Sequence, residues 1–224
     1  SASWGKKFKN TYLLFWTTTP WTIPANVALA VDPKLTYVEV EQDGERLILA
    51  KERIKVLKGE FRAVEEFKGK ELVGLNYEAP FDGLPRVKQS LGSYRHRVVA
   101  SDPLILPINI NEGTGIVHVA TGAGSEDFSL GGKEKLPVIE IIDEEANYLS
   151  NLGNLSRLNA KKHPEIIIDC LKEKDKSAYL YKTEKIKHRY PACWRCKTEL
   201  VWRVVDEWYI AMDSARHAGA KNYR

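Results

Sequence analysis

The stretch WTTTPWTIPANVALAV, from Trp16 to Val31, carries two rules of local structure in immediate succession. Threonine favours strands, whereas a proline ends them, so Thr17, Thr18 and Thr19 should lie at the end of a strand that turns at Pro20-Trp21. Pro24 then keeps the following residues from continuing as a regular helix. A plain reading is a strand edge closing in a rigid turn. A functional reading is a hydroxyl-lined wall, because each threonine hydroxyl both donates and accepts and can hold a carbonyl, a ribose hydroxyl or a water.

Outward from that corner the chain alternates short apolar runs with turn signals. Tyr12 to Thr19, Thr36 to Val40, Arg46 to Leu49, Arg97 to Ala100, Gly115 to Val119 and Val138 to Ile142 read as strands. Asp43-Gly44, Pro80 to Gly83 and Gly92-Ser93 separate them over short loops, which predicts mostly antiparallel pairing. Helical spacing is clearest where Ile166, Ile167, Cys170 and Leu171 share one face after Pro164, with Lys172, Lys174 and Lys176 near the end. A shorter helix is expected from Ser125, with Glu126 and Asp127 in its first turn. The fold class is therefore α+β, with a curved, barrel-like sheet flanked by helices. Residues 1–181 form the main domain, and 182–224 a basic and aromatic returning segment.

The composition excludes several classes. At 224 residues, 43% hydrophobic and 29% charged, the chain has ordinary globular content. No apolar run reaches the ~20 residues that span a bilayer and the first residues carry no secretory pattern, so the expected setting is cytoplasmic, without a membrane partner. Three cysteines, two of them Cys193 and Cys196 in one CxxC, suit a reduced, metal-type arrangement better than a disulfide framework. A closed structural zinc site needs four ligands, so this pair is half a site, and Cys170 reads as a buried inert thiol. The formal charge of +4 permits contact with a polyanion without establishing it. Lys182, Lys185, Lys187, Arg189, Arg195 and Lys197 are candidates to face RNA, although most charge runs are solvated faces.

A second unusual segment is EGTGIVHVATGAGSEDF, from Glu112 to Phe128. Its glycines permit close backbone approach, but the spacing is neither a dinucleotide fingerprint nor a phosphate loop. His118 falls in a strand-like run, and Asp127 follows past a glycine turn. No serine or cysteine nucleophile stands in a convincing Ser-His-Asp or Cys-His context.

Taken together, TTTPWTIPAN, GTGIVH and the glycine turn ending in Glu126-Asp127 resemble the inserted editing (CP1) domain of class I aminoacyl-tRNA synthetases for branched aliphatic amino acids. The likeness runs on through Tyr190 to Cys196 and Trp208-Tyr209. Within that family His118 points to the isoleucine enzyme, since the valine enzyme usually has lysine there. Thr121 stands where the isoleucine family usually has proline, and Ala123 where it often has a larger ring.

The resemblance implies hydrolysis of valine wrongly esterified to isoleucine tRNA, and leaves open whether valyl-adenylate is also a substrate. Isoleucine and valine differ by one methylene, worth only ~1 to 3 kcal/mol in a hydrophobic pocket, a figure taken from the known behaviour of these synthetases. A second pocket, open to valine but too small for isoleucine, is therefore needed. It implies Thr17, Thr18, Thr19, His118 and Asp127 as catalytic-site residues, with Asp127 holding the α-ammonium and His118 lining the side-chain pocket. Trp21, Asn26, Gly113, Thr114, Gly115, Gly122, Ala123 and Gly124 are implied to bind or support the substrate, and backbone N–H groups near Gly122 and Gly124 could meet an oxyanion. Editing needs no cofactor. The ATP-handling HIGH and KMSKS elements of the synthetase core are missing, so this stretch should not charge tRNA and reads as an excised domain or fragment. Its expected partners are the acceptor end of isoleucine tRNA carrying valine and the remainder of the synthetase; zinc would require a second CxxC from elsewhere. The rivals are a valine-enzyme editing domain that removes threonine, and a noncatalytic RNA-binding module.

Overall fold

In the computed structural model, residues 11–174, 179–187, 190–208 and 210 are described. Arg189, Lys176 and Tyr209, and the tail beyond residue 210, lie outside them.

Alternation and one tight turn build the first sheet. Strands β3 (Thr36–Gln42) and β4 (Glu45–Ala50) pair antiparallel across Asp43-Gly44, whose φ angles of 52° and 82° suit a two-residue hairpin turn. Strand β1 (Thr11–Leu13) joins β4 in parallel, and β5 (Arg62–Lys68) joins β3 antiparallel, giving the order β1-β4-β3-β5. The second sheet has β2 (Ala28–Val31) at its centre, parallel to β6 (Arg97–Ala100) and antiparallel to β7 (Ile116–Val119). All four residues of β2 are buried because both of its faces are covered. Ala28 and Ala30 enter one apolar cluster with Trp21, Val119 and Leu130, and Leu29 and Val31 enter another with Tyr37, Ile48 and Phe67.

The barrel-like sheet expected from the sequence is, among the described strands, two open sheets stitched end to end. Leu14 N donates to Ile48 O in the first sheet, and two residues later Trp16 N donates to Ile116 O in the second. Ala50 N bonds Thr114 O at the same seam, and the buried Tyr37 hydroxyl donates to Gly115 O at 2.7 Å. The seam delivers the threonines that follow Trp16 to one end of β7.

Other expectations shift in detail. Of the five strand pairings three are antiparallel, and the run Tyr12 to Thr19 is regular only to Leu13. Val138 to Ile142 is not a strand. Ile139, Ile141 and Ile142 are buried, but the ladder contacts are confined to a bridge from Ile142 to Tyr148 and a bond from Leu149 N to Ile141 O. Apolar content without a neighbouring strand gives an extended core segment. The Pro20–Ala25 corner forms a 3₁₀ helix, which accepts Pro24 because its missing N–H falls in a short turn. The helix α1 (Pro85–Leu91) carries no sequence-based expectation, whereas α2 (Ser125–Glu134) and α3 (Glu165–Glu173) lie where the spacing put them. Ile167 and Leu171 of α3 are buried, and the helix rests on the 3₁₀ corner. Each such aliphatic side chain contributes ~1.5 to 3 kcal/mol on full burial. Among the described residues, no helix is long and apolar enough to cross a membrane.

Parts of the returning segment lie along this framework. Tyr181 bridges Lys58 N and Gln42, Lys161 pairs with Glu199 at 2.7 Å, and Arg203 meets Glu144 at 3.0 Å.

Candidate active site

A cavity of about 220 Å³ opens between the end of the β1 extension, the 3₁₀ corner and the start of α2. Trp16, Thr17, Thr18, Thr19, Thr22, Glu112, Val117, His118, Ala123 and Asp127 line it. The two unusual sequence segments therefore meet. Thr17, Thr18, Thr19, His118, Asp127 and Ala123 come together as the sequence anticipates, and Trp16, Thr22, Glu112 and Val117 complete the wall.

The remaining expected residues do not line the cavity. Trp21 is a core side chain, 4% exposed, whose carbonyl accepts from Tyr148 and whose indole lies 5.9 Å from the ammonium of Lys161. Gly113 (φ 65°) lies against the Trp16 ring, where an added Cβ would approach to 2.8 Å, and Gly115 (φ 77°) leaves no room beside Ala50. Thr114 is buried next to them with its hydroxyl on Ile116 O, and a side chain at Gly122 would strike Ile139 O. Gly124 sits behind the Asp127 carboxylate. These positions shape the walls from behind, because a motif identifies a segment and not which of its atoms face a ligand.

His118 is 5% exposed and pairs in register with Leu29. Asn26 fixes its protonation. The Asn26 amide nitrogen donates to Ala28 O at 3.0 Å, and its Oδ1 accepts the Tyr77 hydroxyl at 2.6 Å, so the same nitrogen donates its second hydrogen to His118 Nδ1 at 2.7 Å. Nδ1 is then the lone-pair nitrogen, and Nε2–H donates to Thr22 Oγ1 at 3.1 Å. The Thr22 hydroxyl passes its own hydrogen to Thr19 O at 2.8 Å. Burial pulls the imidazole down to about 4, against a smaller opposing contribution from Thr22, so the ring is neutral at pH 7. A nitrogen that already carries its hydrogen cannot accept one, so Thr22 and His118 do not form a nucleophile and base.

Asp127 differs. One carboxylate oxygen accepts Ala120 N at 2.9 Å, and among the described residues no second donor reaches the group. Although the residue is half-exposed as a whole, its carboxyl is sunk into the wall. Burial raises it to about 6, with the Ala120 hydrogen bond opposing and Glu126 adding a little. An under-compensated carboxylate in a cleft suits a cationic ligand.

Arg53 holds the mouth of the cavity. Its guanidinium donates to Gly113 O at 2.7 Å and Asn111 O at 2.9 Å, fixing the loop that carries Glu112. It sits in a run of charges, KERIKV, and gave no sequence signal. Thr121, the family departure, is 1% exposed; its hydroxyl donates to Pro137 O and its methyl packs on Gly131, so it secures the turn before Asp127.

Cys193 and Cys196 stand on a turn closed by Cys193 N to Thr198 O and Lys197 N to Cys193 O. Both thiols are free, and no group of three potential metal ligands occurs among the described residues. Two thiolates fit half of a tetrahedral zinc site and no more. Cys170 is half-buried on the core face of α3, with its thiol pushed up by burial. In the basic cluster Lys182 pairs with Glu184, while Lys185, Lys187, Arg195 and Lys197 are exposed.

No protein-family model matches the chain. It is 44% identical over 209 residues to the isoleucine–tRNA ligase of Clostridium novyi, covering 93% of this chain and 19% of the relative. To the same ligase from Pyrococcus furiosus it is 42% identical over 219 residues, covering 93% of this chain and 20% of the relative. The chain thus spans about a fifth of the length of the curated relatives it matches. Among solved structures, the crystal structure of GlLeuRS-CP1 agrees with a TM-score of 0.56 at 17% identity, covering 81% of this chain and 89% of that one, which is a likeness of fold. Sequence identity along nearly the whole chain leads to one assignment, which the likeness of fold to GlLeuRS-CP1 accompanies: the chain belongs to the isoleucine–tRNA ligase family.

Proposed function

We propose that this domain hydrolyses the ester of valine wrongly attached to isoleucine tRNA. The observation that carries the reading is the pairing, in one cavity, of an under-compensated carboxylate, Asp127, with a neutral histidine, His118, fixed on both ring nitrogens. The carboxylate holds the α-ammonium of the aminoacyl group by a charge-assisted hydrogen bond, which separates charged from uncharged tRNA. The imidazole is a wall of fixed shape against the amino-acid side chain. Thr17, Thr18 and Thr19 offer hydroxyls to the ester, the terminal ribose and the attacking water. An aminoacyl ester is activated by its own ammonium, so positioning the ester and water supplies much of the rate, with no covalent intermediate. Expected partners are the acceptor end of isoleucine tRNA and the rest of the synthetase. Editing needs no cofactor.

The test presents the intact chain with valylated isoleucine tRNA and, separately, threonylated valine tRNA. Release of valine is expected. Preferential release of threonine would move the domain to the valine enzyme's specificity, and RNA binding without release of either amino acid would reduce it to a noncatalytic RNA-binding module.

A further inference from the structure

Tyr77 lies outside the cavity and outside both sequence motifs, yet its hydroxyl ends the hydrogen-bond chain that runs through the site. The order is Tyr77 to Asn26, Asn26 to His118, His118 to Thr22, and Thr22 to the carbonyl of Thr19. Every link has one sense. An amide that rotated by half a turn would present oxygen to His118 Nδ1, force the ring hydrogen onto Nδ1, and reverse the Thr22 hydroxyl away from Thr19 O. Two contacts resist that rotation: the Ala28 carbonyl, which needs a donor, and the Tyr77 hydroxyl, which supplies one.

The tyrosine is itself held. Its ring stacks on His96 with centroids 5.2 Å apart at 28°, and its backbone N–H bonds the His96 carbonyl. His96 is 3% exposed and is fixed by Asp82 at 2.7 Å, while Tyr94 meets the same ring edge-on. The hydroxyl of Tyr77 therefore has little freedom to follow a reorienting amide.

We propose that Tyr77 is a positioning residue of the editing site: by donating to Asn26 Oδ1 it sets the Asn26 amide and so holds His118 as the Nε2–H tautomer that gives the amino-acid pocket its shape. Burial keeps the phenol far above its ordinary range, so it remains a donor at any pH at which the domain works. Tyr77 touches no substrate; its effect passes through Asn26. The inference deepens the editing reading and rests on it for the consequence in selectivity, but not for the tautomer.

The direct test is nitrogen NMR of His118 in the full chain, at neutral pH and without substrate. The expected spectrum has a protonated Nε2 and an unprotonated Nδ1; a proton on Nδ1 in the wild type overturns the proposal with no variant needed. Tyr77→Phe keeps the stacked ring and removes the hydroxyl. It should give His118 a measurable Nδ1–H population and lower the ratio of valyl to isoleucyl ester hydrolysis by about three- to tenfold, the scale of one neutral hydrogen bond. An unchanged tautomer and ratio would contradict it. A double-mutant cycle separates positioning from general destabilisation: in an Asn26→Ala background, Tyr77→Phe should change the ratio no further. If its full effect persisted there, Tyr77 would not act through Asn26 and the proposal would fall. Failure of the chain to release valine would refute the editing reading alone, since the His118 tautomer, compared between the wild type and Tyr77→Phe, still decides the role of Tyr77.

Discussion

The two sides of the cavity handle burial in opposite ways. His118 is deeper, and both of its ring nitrogens have a partner: Asn26 on one, Thr22 on the other, with Tyr77 and Thr19 beyond. Asp127 is shallower and has one backbone donor. A fully satisfied network has a single low-energy arrangement and makes a rigid wall, whereas a carboxylate short of donors gains from a ligand that brings them. Under the proposed editing reading, the contrast gives shape selection to one side and charge recognition to the other.

Removing the under-compensated side should have the larger effect. Asp127→Ala is expected to slow release of valine by about a hundredfold, the scale of a lost charge-assisted anchor. The variant should be at least as stable as the wild type, because a carboxyl held at about 6 costs the fold stability whenever it is ionised. Near wild-type hydrolysis with Asp127→Ala would end the distinction between the two sides.

The pH dependence of the reaction tests the same side without a mutation. Hydrolysis at low substrate should fall as the pH drops through about 6, approaching tenfold per unit, as the carboxylate proposed to hold the ammonium is neutralised. A profile flat from pH 7 to 5 would mean that ionised Asp127 is not needed.

Stability against pH separates the sides by sign. The unfolded chain protonates His118 below 6.5, and the folded one refuses the proton until about 4, so stability is full above 6.5 and declines toward 4, by up to about 1.4 kcal/mol per unit. Asp127 acts in the reverse direction between about 6 and 3.8, where the folded state takes the proton first. Denaturant titrations of Asp127→Asn should therefore show the steeper acid loss, and adding His118→Gln should flatten it. Equal slopes in both proteins would contradict the assigned shifts.

The smallest effect is expected far from the cavity. With one CxxC, chelation should leave the melting temperature of the chain unchanged. Tight stoichiometric zinc, with unfolding on its removal, would show that the returning segment supplies further ligands.

What the sequence made legible follows what local pattern encodes. The Asp43-Gly44 hairpin, the α3 stripe of Ile167 and Leu171, and the proximity of Thr17–Thr19 to His118 and Asp127 could be read because turn chemistry, periodicity and motif spacing are local or familial. The seam at Leu14 and Trp16, the parallel pairings of β2 and β1, and the failure of Val138–Ile142 to find a neighbouring strand depend on distant segments. The same holds within the site. Arg53 and Tyr77 reach it through bonds spanning 60 and 51 residues, and nothing in their immediate sequence marks them; Thr22 stands inside the first motif, but its bond to His118, spanning 96 residues, is not written there.

The central claim, that His118 forms the rigid wall excluding the larger side chain, is tested most directly by the rates at which valyl and isoleucyl esters of the same tRNA are hydrolysed, in the wild type and in His118→Ala. Truncating the imidazole opens more space than one methylene requires, and Asp127 and the threonines remain to hold the ester. The account predicts a strong preference for the valyl ester in the wild type, and in the variant a ratio lowered by about tenfold or more with valine release largely retained. An unchanged ratio with activity intact would contradict it.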